Sequence, residues 1–315
     1  ADDLSRNSMD GWRPRSRHRR SRLSPGTVLI TGANGFVGPH LARALQARGA
    51  KVHGLALGDP PPGVALDGWH EAELGSADSI AATVAAVKPD AIVHLAGQSS
   101  AALSFEDPTG TFATNALGTW NLLEAVRRGA GAARVLVVGT GEVYGPPPAG
   151  PRVAESAPFR PVSPYGLSKA AADAFAELAY RAHALDVVRT RSFAHAGPGQ
   201  SPRFALPSFA QQIVAIEAGA IEPVLRVGNL EVTRDITDVR DVAEAYVALL
   251  ERGRAGVAYN VCRGVGVRLS ALAEALVTRA RLAVRIEVDP ARVRPADVPY
   301  LVGDPSAIER EAGWR

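Results

Sequence analysis

The sequence predicts an α/β protein in which a doubly wound parallel sheet carries a smaller, discontinuous lobe. Two observations predict the sheet. Short apolar runs with strand character alternate with helical stretches over residues 27–190, and a glycine-rich turn joins the first such run to the first helix. A third observation predicts the lobe, because the pattern becomes irregular and rich in glycine and proline beyond residue 190. We therefore assign 26–190 to a large domain, to which 237–262 returns, and 191–236 and 263–315 to the lobe.

Bulk composition places the chain among ordinary globular proteins, with 46% hydrophobic and 21% charged residues. A single cysteine, Cys262, excludes an intrachain disulfide framework, and the sequence predicts no metal site. No apolar run approaches the roughly 20 residues that a membrane span needs. Six arginines lie between positions 13 and 22, and without them the net charge of +3 would become about −3. We therefore expect residues 1–25 to form a disordered basic tail. We expect a cytoplasmic protein with neither a nucleic-acid nor a membrane partner.

The first strand and the turn after it carry the most specific local signal. Thr27–Thr31 is a short apolar run bounded by glycine, as expected of a buried parallel strand. The three glycines that follow permit a tight turn, close approach of a pyrophosphate and close packing of helix on strand. This strand–turn–helix context predicts dinucleotide binding in a Rossmann-type domain. The candidate cofactor-binding residues in the turn are Gly32, Asn34, Gly35, Phe36, Val37 and Gly38.

The end of the second strand leaves the choice of dinucleotide open. An acidic residue that binds the ribose 2′-hydroxyl is expected there. Instead, Leu55, Ala56 and Leu57 occupy the positions, and Asp59 follows slightly late. No arginine replaces the acidic residue to mark a 2′-phosphate. NADPH and NADH are therefore both candidate cofactors, with NADPH slightly favoured.

The strand at 90–94 is followed by small residues, which let the chain pass beneath a cofactor ribose. The candidates for this contact are Leu95, Ala96 and Gly97. Gln98 and Ser99 come next, at the carboxyl end of the strand, where ligands bind in open α/β sheets, so we expect them to contact the substrate. In the following helical stretch, Asn115 is expected to brace the neighbouring strand through backbone hydrogen bonds rather than to act in catalysis.

A tyrosine and a lysine form the candidate catalytic pair. Tyr165 and Lys169 lie four residues apart at the start of an alanine-rich helical run, and hence on one helix face. A lysine ammonium beside a phenol favours the phenolate, so we expect Lys169 to lower the pKa of Tyr165. A phenol tuned in this way exchanges a proton with an alcohol or alkoxide near neutral pH. Thr140, at the end of another buried strand, brings a hydroxyl to the same site, and Glu142 follows it.

Together, the glycine turn, Thr140, Tyr165 and Lys169 resemble the extended short-chain dehydrogenase/reductase family of nucleotide-sugar enzymes. Five later segments are more specific and resemble the GDP-4-keto-6-deoxy-D-mannose reductases, the sister group of the GDP-mannose 4,6-dehydratases. These segments lie at residues 193–200, 227–235, 238–241, 259–262 and 294–299. The resemblance implies reduction of the C4 ketone of a nucleotide-activated 4-keto-6-deoxyhexose, with GDP as the preferred nucleotide, by hydride from NADPH or NADH. It also implies a homodimer built from helices near 109–128 and 165–181.

The same resemblance implies a role for each candidate residue. Lys169 would hold the nicotinamide ribose hydroxyls, Tyr165 would protonate the oxygen formed at C4, and Thr140 would orient that oxygen. Glu142 stands where the related dehydratases move a proton at C5. Two further cofactor contacts are implied at Glu73, which would reach the adenine amine, and at Leu74. The implied substrate-binding residues, with arginines suited to a diphosphate, are His195, Asn229, Arg234 and Arg294.

Two departures from the family pattern keep alternatives open. Ala194 stands where the family usually has an asparagine that contacts the substrate diphosphate, and alanine offers no hydrogen bond. Gly141 stands between Thr140 and Glu142, where the dehydratases carry a polar side chain, which argues against dehydration although Glu142 remains. Reduction of a dTDP-4-keto-6-deoxy sugar, 4,6-dehydration and epimerisation are therefore the alternatives on this fold. A non-catalytic cofactor-binding scaffold is the alternative of another class, against which the intact catalytic set argues.

Overall fold

The structure is a computed structural model of the 315-residue chain, and it describes residues 26–147, 152–293 and 297–315. The expected basic tail at 1–25 and one candidate substrate residue, Arg294, lie outside these described residues. Within them, helices and strands alternate as predicted. None of the helices in the described segments combines the length and the apolar surface that crossing a bilayer requires.

The described strands are, in chain order, β1 (Thr27–Thr31), β2 (Lys51–Ala56), β3 (Gly68–Glu71), β4 (Ala91–His94), β5 (Arg134–Thr140), β6 (Val187–Ser192), β7 (Ala194–Ala196), β8 (Val224–Val227), β9 (Thr233–Asp238), β10 (Ala258–Val261), β11 (Gly266–Arg268), β12 (Arg285–Val288) and β13 (Tyr300–Leu301). The described α-helices are α1 (Gly38–Gln46), α2 (Ala77–Val87), α3 (Ala101–Glu106), α4 (Pro108–Phe112), α5 (Gly118–Gly129), α6 (Pro164–His183), α7 (Ala205–Glu217), α8 (Val239–Arg252), α9 (Leu269–Arg279) and α10 (Ser306–Ala312). A π-helix spans Ala113–Leu117, and short 3₁₀ helices span Gly141–Tyr144 and Pro290–Arg292.

The large sheet holds seven strands in the order β10-β6-β5-β4-β1-β2-β3, and every neighbouring pair is parallel. Six of them reproduce the doubly wound dinucleotide-binding order 3-2-1-4-5-6, with β10 added beyond β6. The predicted fold class is therefore confirmed. The predicted boundaries between the large domain and the lobe stay predictions.

Helices cover both faces of this sheet, which explains why its central strands β1, β4 and β5 are nearly continuous apolar runs. On β1, Val28 and Ile30 face one side and pack with residues of α1, α8 and α10. Leu29, between them, faces the other side and packs with residues of α2, α5 and α6. This alternation follows from the two-residue period of a strand. Because the strands are parallel, their carboxyl ends lie along one edge of the sheet.

The lobe is built from short strands and two helices. β9 pairs with β11, β13 and β7, and β8 pairs with β12. A separate small core joins α7, β8 and α9 through Phe209, Leu225, Val227 and Ala273. β7 follows β6 after one residue, so the chain passes directly from the carboxyl edge of the large sheet into the lobe.

Candidate active site

A cleft of about 1480 Å³ lies between the carboxyl edge of the large sheet and the lobe. This is the position at which open α/β sheets bind their ligands. The predicted site residues that line it are Gly32, Asn34, Gly35, Phe36, Val37, Glu73, Leu74, Leu95, Ala96, Gly97, Gln98, Ser99, Thr140, Glu142, Tyr165, Lys169, His195, Asn229 and Arg234. Gly38 lies behind the lining, at the first turn of α1.

The glycine turn has the close contacts that its sequence predicts. Gly32 has a φ of +69°, and a Cβ built there would lie 2.8 Å from the backbone of Ala96. A Cβ on Gly38 would lie 2.1 Å from the carbonyl oxygen of Ala33, so only glycine lets α1 pack this closely on the turn. The N-terminus of α1 therefore begins at the cleft wall, where backbone N–H groups favour an anionic pyrophosphate. The turn fits a dinucleotide.

Asn34 uses its side chain to fix the loop that follows β2. Its amide nitrogen donates hydrogen bonds to the carbonyl oxygens of Leu57, at 2.8 Å, and Asp59, at 3.2 Å. The loop is thereby held against the glycine turn. Asn34 thus shapes the cleft wall beside the glycine turn by holding the backbone of this loop, a role that the sequence did not predict.

The candidate catalytic pair lies at the start of α6. Ser163 caps this helix, with its hydroxyl oxygen accepting a hydrogen bond from the N–H of Gly166 at 3.0 Å. Tyr165 and Lys169 follow one turn apart, are both buried, and line the cleft together with Thr140 from the end of β5. The Lys169 ammonium donates to the carbonyl oxygen of Val138 at 3.1 Å. The structure therefore brings the predicted pair and the β5 hydroxyl into one site.

The electrostatics of the pair differ from the expectation. Burial raises the pKa of Tyr165, the charge of Glu142 raises it further, and a hydrogen bond with Thr140 acts in the opposite direction. Burial also lowers the pKa of Lys169 to about 8. The expected lowering of the Tyr165 pKa by Lys169 is wrong for the protein alone, because loss of hydration disfavours the charged form of both groups. Tyr165 is accordingly protonated at neutral pH, as a proton donor must be.

Asn115 braces the chain as predicted. Its amide oxygen accepts from the N–H of Gln98 at 2.8 Å, and its amide nitrogen donates to the carbonyl of Gln98 and to the hydroxyl of Ser168, both at 2.9 Å. Ser168 in turn donates to the carbonyl oxygen of Tyr165 at 2.8 Å. The predicted continuous helix is interrupted here by the π-helix Ala113–Leu117, a feature that often marks functional sites.

A second set of buried hydrogen bonds connects Asn115 to the first strand through His94. Thr119 donates to the carbonyl of Asn115 at 2.6 Å, so its oxygen accepts from Nε2–H of His94 at 3.0 Å. The Nδ1 atom of His94 then accepts from the Thr31 hydroxyl at 2.8 Å. Burial, followed by the charge of Lys169, lowers the pKa of His94 to about 3, in agreement with this neutral tautomer. The hydrogen bonds therefore run from Thr31, beside the glycine turn, to the catalytic helix.

The two residues predicted after β4 differ in their roles. The Gln98 amide nitrogen donates to the carbonyl of Ser100 at 2.9 Å and to the Thr111 hydroxyl at 3.0 Å, while its oxygen accepts from the N–H of Ser100. Gln98 is thus engaged in joining the start of α3 to α4, although it lines the cleft. Ser99 lines the cleft beside it. The predicted contacts of both residues with substrate stay predictions.

His195 places an aromatic contact across the cleft. Its ring stacks on Phe36 of the glycine turn, with centroids 5.8 Å apart and planes inclined by 5°. On the other side of Phe36, His40 approaches edge-on at 6.0 Å, and its Nε2 atom lies 3.0 Å from the carbonyl oxygen of Pro198. Burial lowers the pKa of His195, although a hydrogen bond to the Phe193 carbonyl acts the other way. The lobe is therefore joined to the glycine turn at this point.

Arg234 and Asn229 meet at a carboxylate in the lobe. Arg234 donates to the carbonyl oxygen of Val298 at 2.6 Å and pairs with Asp297 at 3.5 Å. The amide nitrogen of Asn229 donates to the same carboxylate at 3.4 Å. Both predicted residues therefore lie in one polar cluster at the lobe side of the cleft.

The comparisons with known proteins agree with this geometry. The model of the GDP-mannose 4,6 dehydratase family matches residues 29–315. The chain belongs to this family. A GDP-6-deoxy-D-mannose reductase of Pseudomonas aeruginosa is 36% identical over 295 residues, which cover 91% of this chain and 91% of the relative.

Solved structures of family relatives have the same fold. RMD from Pseudomonas aeruginosa complexed with NADPH is 32% identical, with a TM-score of 0.78 over 92% of this chain and 93% of that chain. The UDP-glucose 4-epimerase of Thermus thermophilus in complex with NAD is also 32% identical, with a TM-score of 0.81 over 92% and 93%. The chain therefore has the extended short-chain dehydrogenase fold, in which neighbours hold either dinucleotide.

The sequence-based prediction missed several residues that line the cleft of this family member. Three arginines of the lobe line the cleft besides Arg234, and they are Arg203, Arg226 and Arg292. Arg226 is the one exposed residue of β8, whose other residues are buried valines and a leucine. A single arginine within this apolar run was the sequence pattern that could have identified it. The buried pair of Ser192 and Tyr246, whose hydroxyls lie 2.7 Å apart, also reaches the lining.

Proposed function

We propose that this chain is a reductase that uses NADPH or NADH to reduce the C4 ketone of a GDP-4-keto-6-deoxyhexose, with GDP-4-keto-6-deoxy-mannose as the first candidate. The observation that carries the proposal is the buried Tyr165 phenol, hydrogen-bonded to Thr140 and protonated at neutral pH in a cleft shared with the glycine turn. Ketone reduction requires a protonated donor, because the oxygen formed on hydride addition must take up a proton. The Pseudomonas aeruginosa relative, a GDP-6-deoxy-D-mannose reductase, supports the same substrate class.

The mechanism follows from what each residue can hold or give. NADPH or NADH, when bound, supplies the hydride. Tyr165 gives its phenolic proton to the ketone oxygen as negative charge develops there. Thr140, already bonded to Tyr165, orients the same oxygen. Lys169 lies next to Gly97, since a Cβ built there would be 3.4 Å from its Nζ atom, and we assign Lys169 to the ribose hydroxyls.

Reduction is favoured over 4,6-dehydration by the surroundings of Gly141. A Cβ built at this position lies 3.1 Å from two atoms of the Phe193 ring, so a polar side chain between Thr140 and Glu142 would require Phe193 to move. The polar trio that the dehydratases are expected to carry is thus incomplete here. Glu142 remains in the cleft, and for this reason dehydration is tested beside reduction.

The substrate nucleotide would bind in the lobe half of the cleft. The four arginines there, with Asn229, offer a site for a diphosphate, because guanidinium groups meet phosphate oxygens through paired hydrogen bonds. Ala194 lines the same region and offers no amide. We therefore keep a dTDP-4-keto sugar as the rival substrate.

We also propose that the protein is a homodimer and that it acts in the cytoplasm. Large apolar side chains outside the cleft lining are exposed on α4 and α6, which together would form a helical interface between two copies. They are Phe112, Leu167 and Leu178. A molar mass twice that of the 32.9 kDa chain, measured by light scattering after gel filtration, would support the dimer.

The test of the function is a direct assay of the purified protein. Reduced cofactor is mixed with GDP-4-keto-6-deoxy-mannose or with a dTDP-4-keto-6-deoxy sugar, and the loss of nicotinamide absorbance is followed. We expect turnover with the GDP sugar. Tyr165→Phe should lower the rate by about 10²–10⁴-fold, the usual contribution of a general acid. Tyr180→Phe, which changes a phenol on the same helix outside the cleft lining, is the matched control.

The same experiment separates the alternatives. Turnover of the dTDP sugar alone would overturn the GDP assignment. Formation of a 4-keto sugar from GDP-mannose and oxidised cofactor, without ketone reduction, would identify a dehydratase. A Tyr165→Phe variant with full activity would remove the proposed proton donor.

A further inference from the structure

Against the slight preference for NADPH that the sequence predicts, we propose that this cleft selects NADH, the dinucleotide without a 2′-phosphate, and that Leu57 is the position that sets this choice. The inference rests on the proposed function, because it concerns the cofactor of the same reductase. In dinucleotide-binding sheets, the adenosine ribose lies between the glycine turn and the end of the second strand. The loop after β2 is therefore the part of the chain that meets the 2′ position.

The structure holds this loop in one place. Asn34 donates to the carbonyls of Leu57 and Asp59, and the indole N–H of Trp69 donates to the carbonyl of Gly58 at 3.0 Å. Three consecutive carbonyls are thus anchored to neighbouring elements. Leu57 lines the cleft and is 59% exposed, so the loop presents a neutral, apolar group where a cation would hold a 2′-phosphate.

The acidic and basic residues of the lining come from different parts of the chain. Among the described lining residues in the range 32–121, the charged side chains are Glu73 and Glu106, both acidic. The basic lining residues that the structure describes all come from the range 169–292, on α6 or in the lobe. A phosphate monoester carries about −1.5 to −2 charges at neutral pH. The described lining residues between 32 and 57, which form the glycine turn and the end of β2 with its loop, offer it no charged side chain.

Arg43 of α1 and Arg48, which follows this helix, do not change this balance. Arg43 lies outside the lining and donates to the carbonyl of Gly63 at 3.2 Å, behind the same loop. Arg48 pairs with Glu244 on α8 at the opposite end of the helix. Asp59 adds a further carboxylate to the loop itself. A ribose hydroxyl needs only an acceptor in these surroundings, whereas a 2′-phosphate needs a cation.

The test measures cofactor affinity without sugar substrate. NADH and NADPH are titrated into the wild-type protein, with nicotinamide fluorescence as the readout and the shift in melting temperature as a second measure. We expect the Kd of NADH to be at least about tenfold lower than the Kd of NADPH, a difference equivalent to the loss of one favourable ionic contact. Leu57→Arg places a cation in the lining and should tighten NADPH by about tenfold while changing NADH little. Leu57→Gln, which adds length without charge, should keep the wild-type ratio.

Each contrary outcome has a distinct meaning. Equal or tighter binding of NADPH by the wild type would overturn the inference, and loss of that binding in Arg43→Gln would name the cation responsible. Unchanged NADPH affinity in Leu57→Arg would overturn the role of Leu57. In these cases turnover with the sugar would leave the proposed reductase standing. Failure of both dinucleotides to bind would overturn the inference together with the proposed function.

Discussion

Replacing Lys169 with methionine is expected to stabilise the protein without cofactor while abolishing turnover. Lys169 is 6% exposed, and burial lowers its pKa from the ordinary value of 10.5 to about 8. Because the folded pKa lies below the unfolded one, the unfolded chain binds the proton more tightly. The resulting cost to folding is fully present below pH 8 and disappears above pH 10.5.

The size of the effect follows from this shift. One pKa unit corresponds to about 1.4 kcal/mol, so a charged Lys169 costs about 3 kcal/mol of folding free energy at pH 7 and about 1 kcal/mol at pH 10. Methionine also loses the hydrogen bond to Val138, which measures 3.1 Å. Such a bond contributes about 1 kcal/mol. The variant should therefore be about 2 kcal/mol more stable than wild type at pH 7 and about equally stable at pH 10.

Urea unfolding at the two pH values measures these free energies directly, and the absorbance assay measures turnover in the same preparations. Lys51→Met, which changes an exposed lysine at the start of β2, is the matched control and should stay within about 0.5 kcal/mol of wild type. A Lys169→Met protein that is less stable at pH 7 would refute the reasoning. So would a difference in stability that does not change with pH.

Three further predictions concern the same cleft. Gly38→Ala should lower the free energy of unfolding by at least about 2 kcal/mol in urea denaturation, because its Cβ would lie 2.1 Å from the carbonyl oxygen of Ala33. His94→Phe should cost about 2–5 kcal/mol in the same assay, because two buried threonine hydroxyls lose a partner. Ala194→Asn should lower KM for the GDP sugar by about fivefold, the effect of one hydrogen bond, with kcat little changed in steady-state kinetics.

Local patterns in the sequence were sufficient to predict the strands, the glycine turn and the helix that carries Tyr165 and Lys169. Each depends on residues that are close together in the chain, such as the apolar run of β1 or the four-residue spacing of Tyr165 and Lys169. The π-helix could not be predicted in this way. Asn115 is held there by bonds to Gln98 and Ser168, which are 17 and 53 residues away, so tertiary contacts accompany the irregular backbone.

The pKa shifts of Tyr165 and Lys169 could not be predicted from the sequence either. Helical spacing placed Lys169 beside Tyr165, but it carried no information about how far both would be removed from water. Burial, which depends on the whole fold, decides the pKa of each group. Likewise, nothing in the sequence around Arg203 and Arg292 marks them as cleft residues. They line the cleft because the lobe packs against the carboxyl edge of the large sheet.

The hydrogen bonds that run from Thr31 to the backbone of Tyr165 have a direction, and this direction limits how position 94 can change during evolution or engineering. His94 receives a hydrogen from Thr31 on one side and gives one to Thr119 on the other. A replacement must therefore offer one acceptor and one donor on the same terminal group, as the imidazole ring does. The terminal amide of glutamine carries both without a titratable group. A hydrophobic residue would leave both threonine hydroxyls without this partner, and a carboxylate would set an acceptor against the Thr119 oxygen, which also accepts.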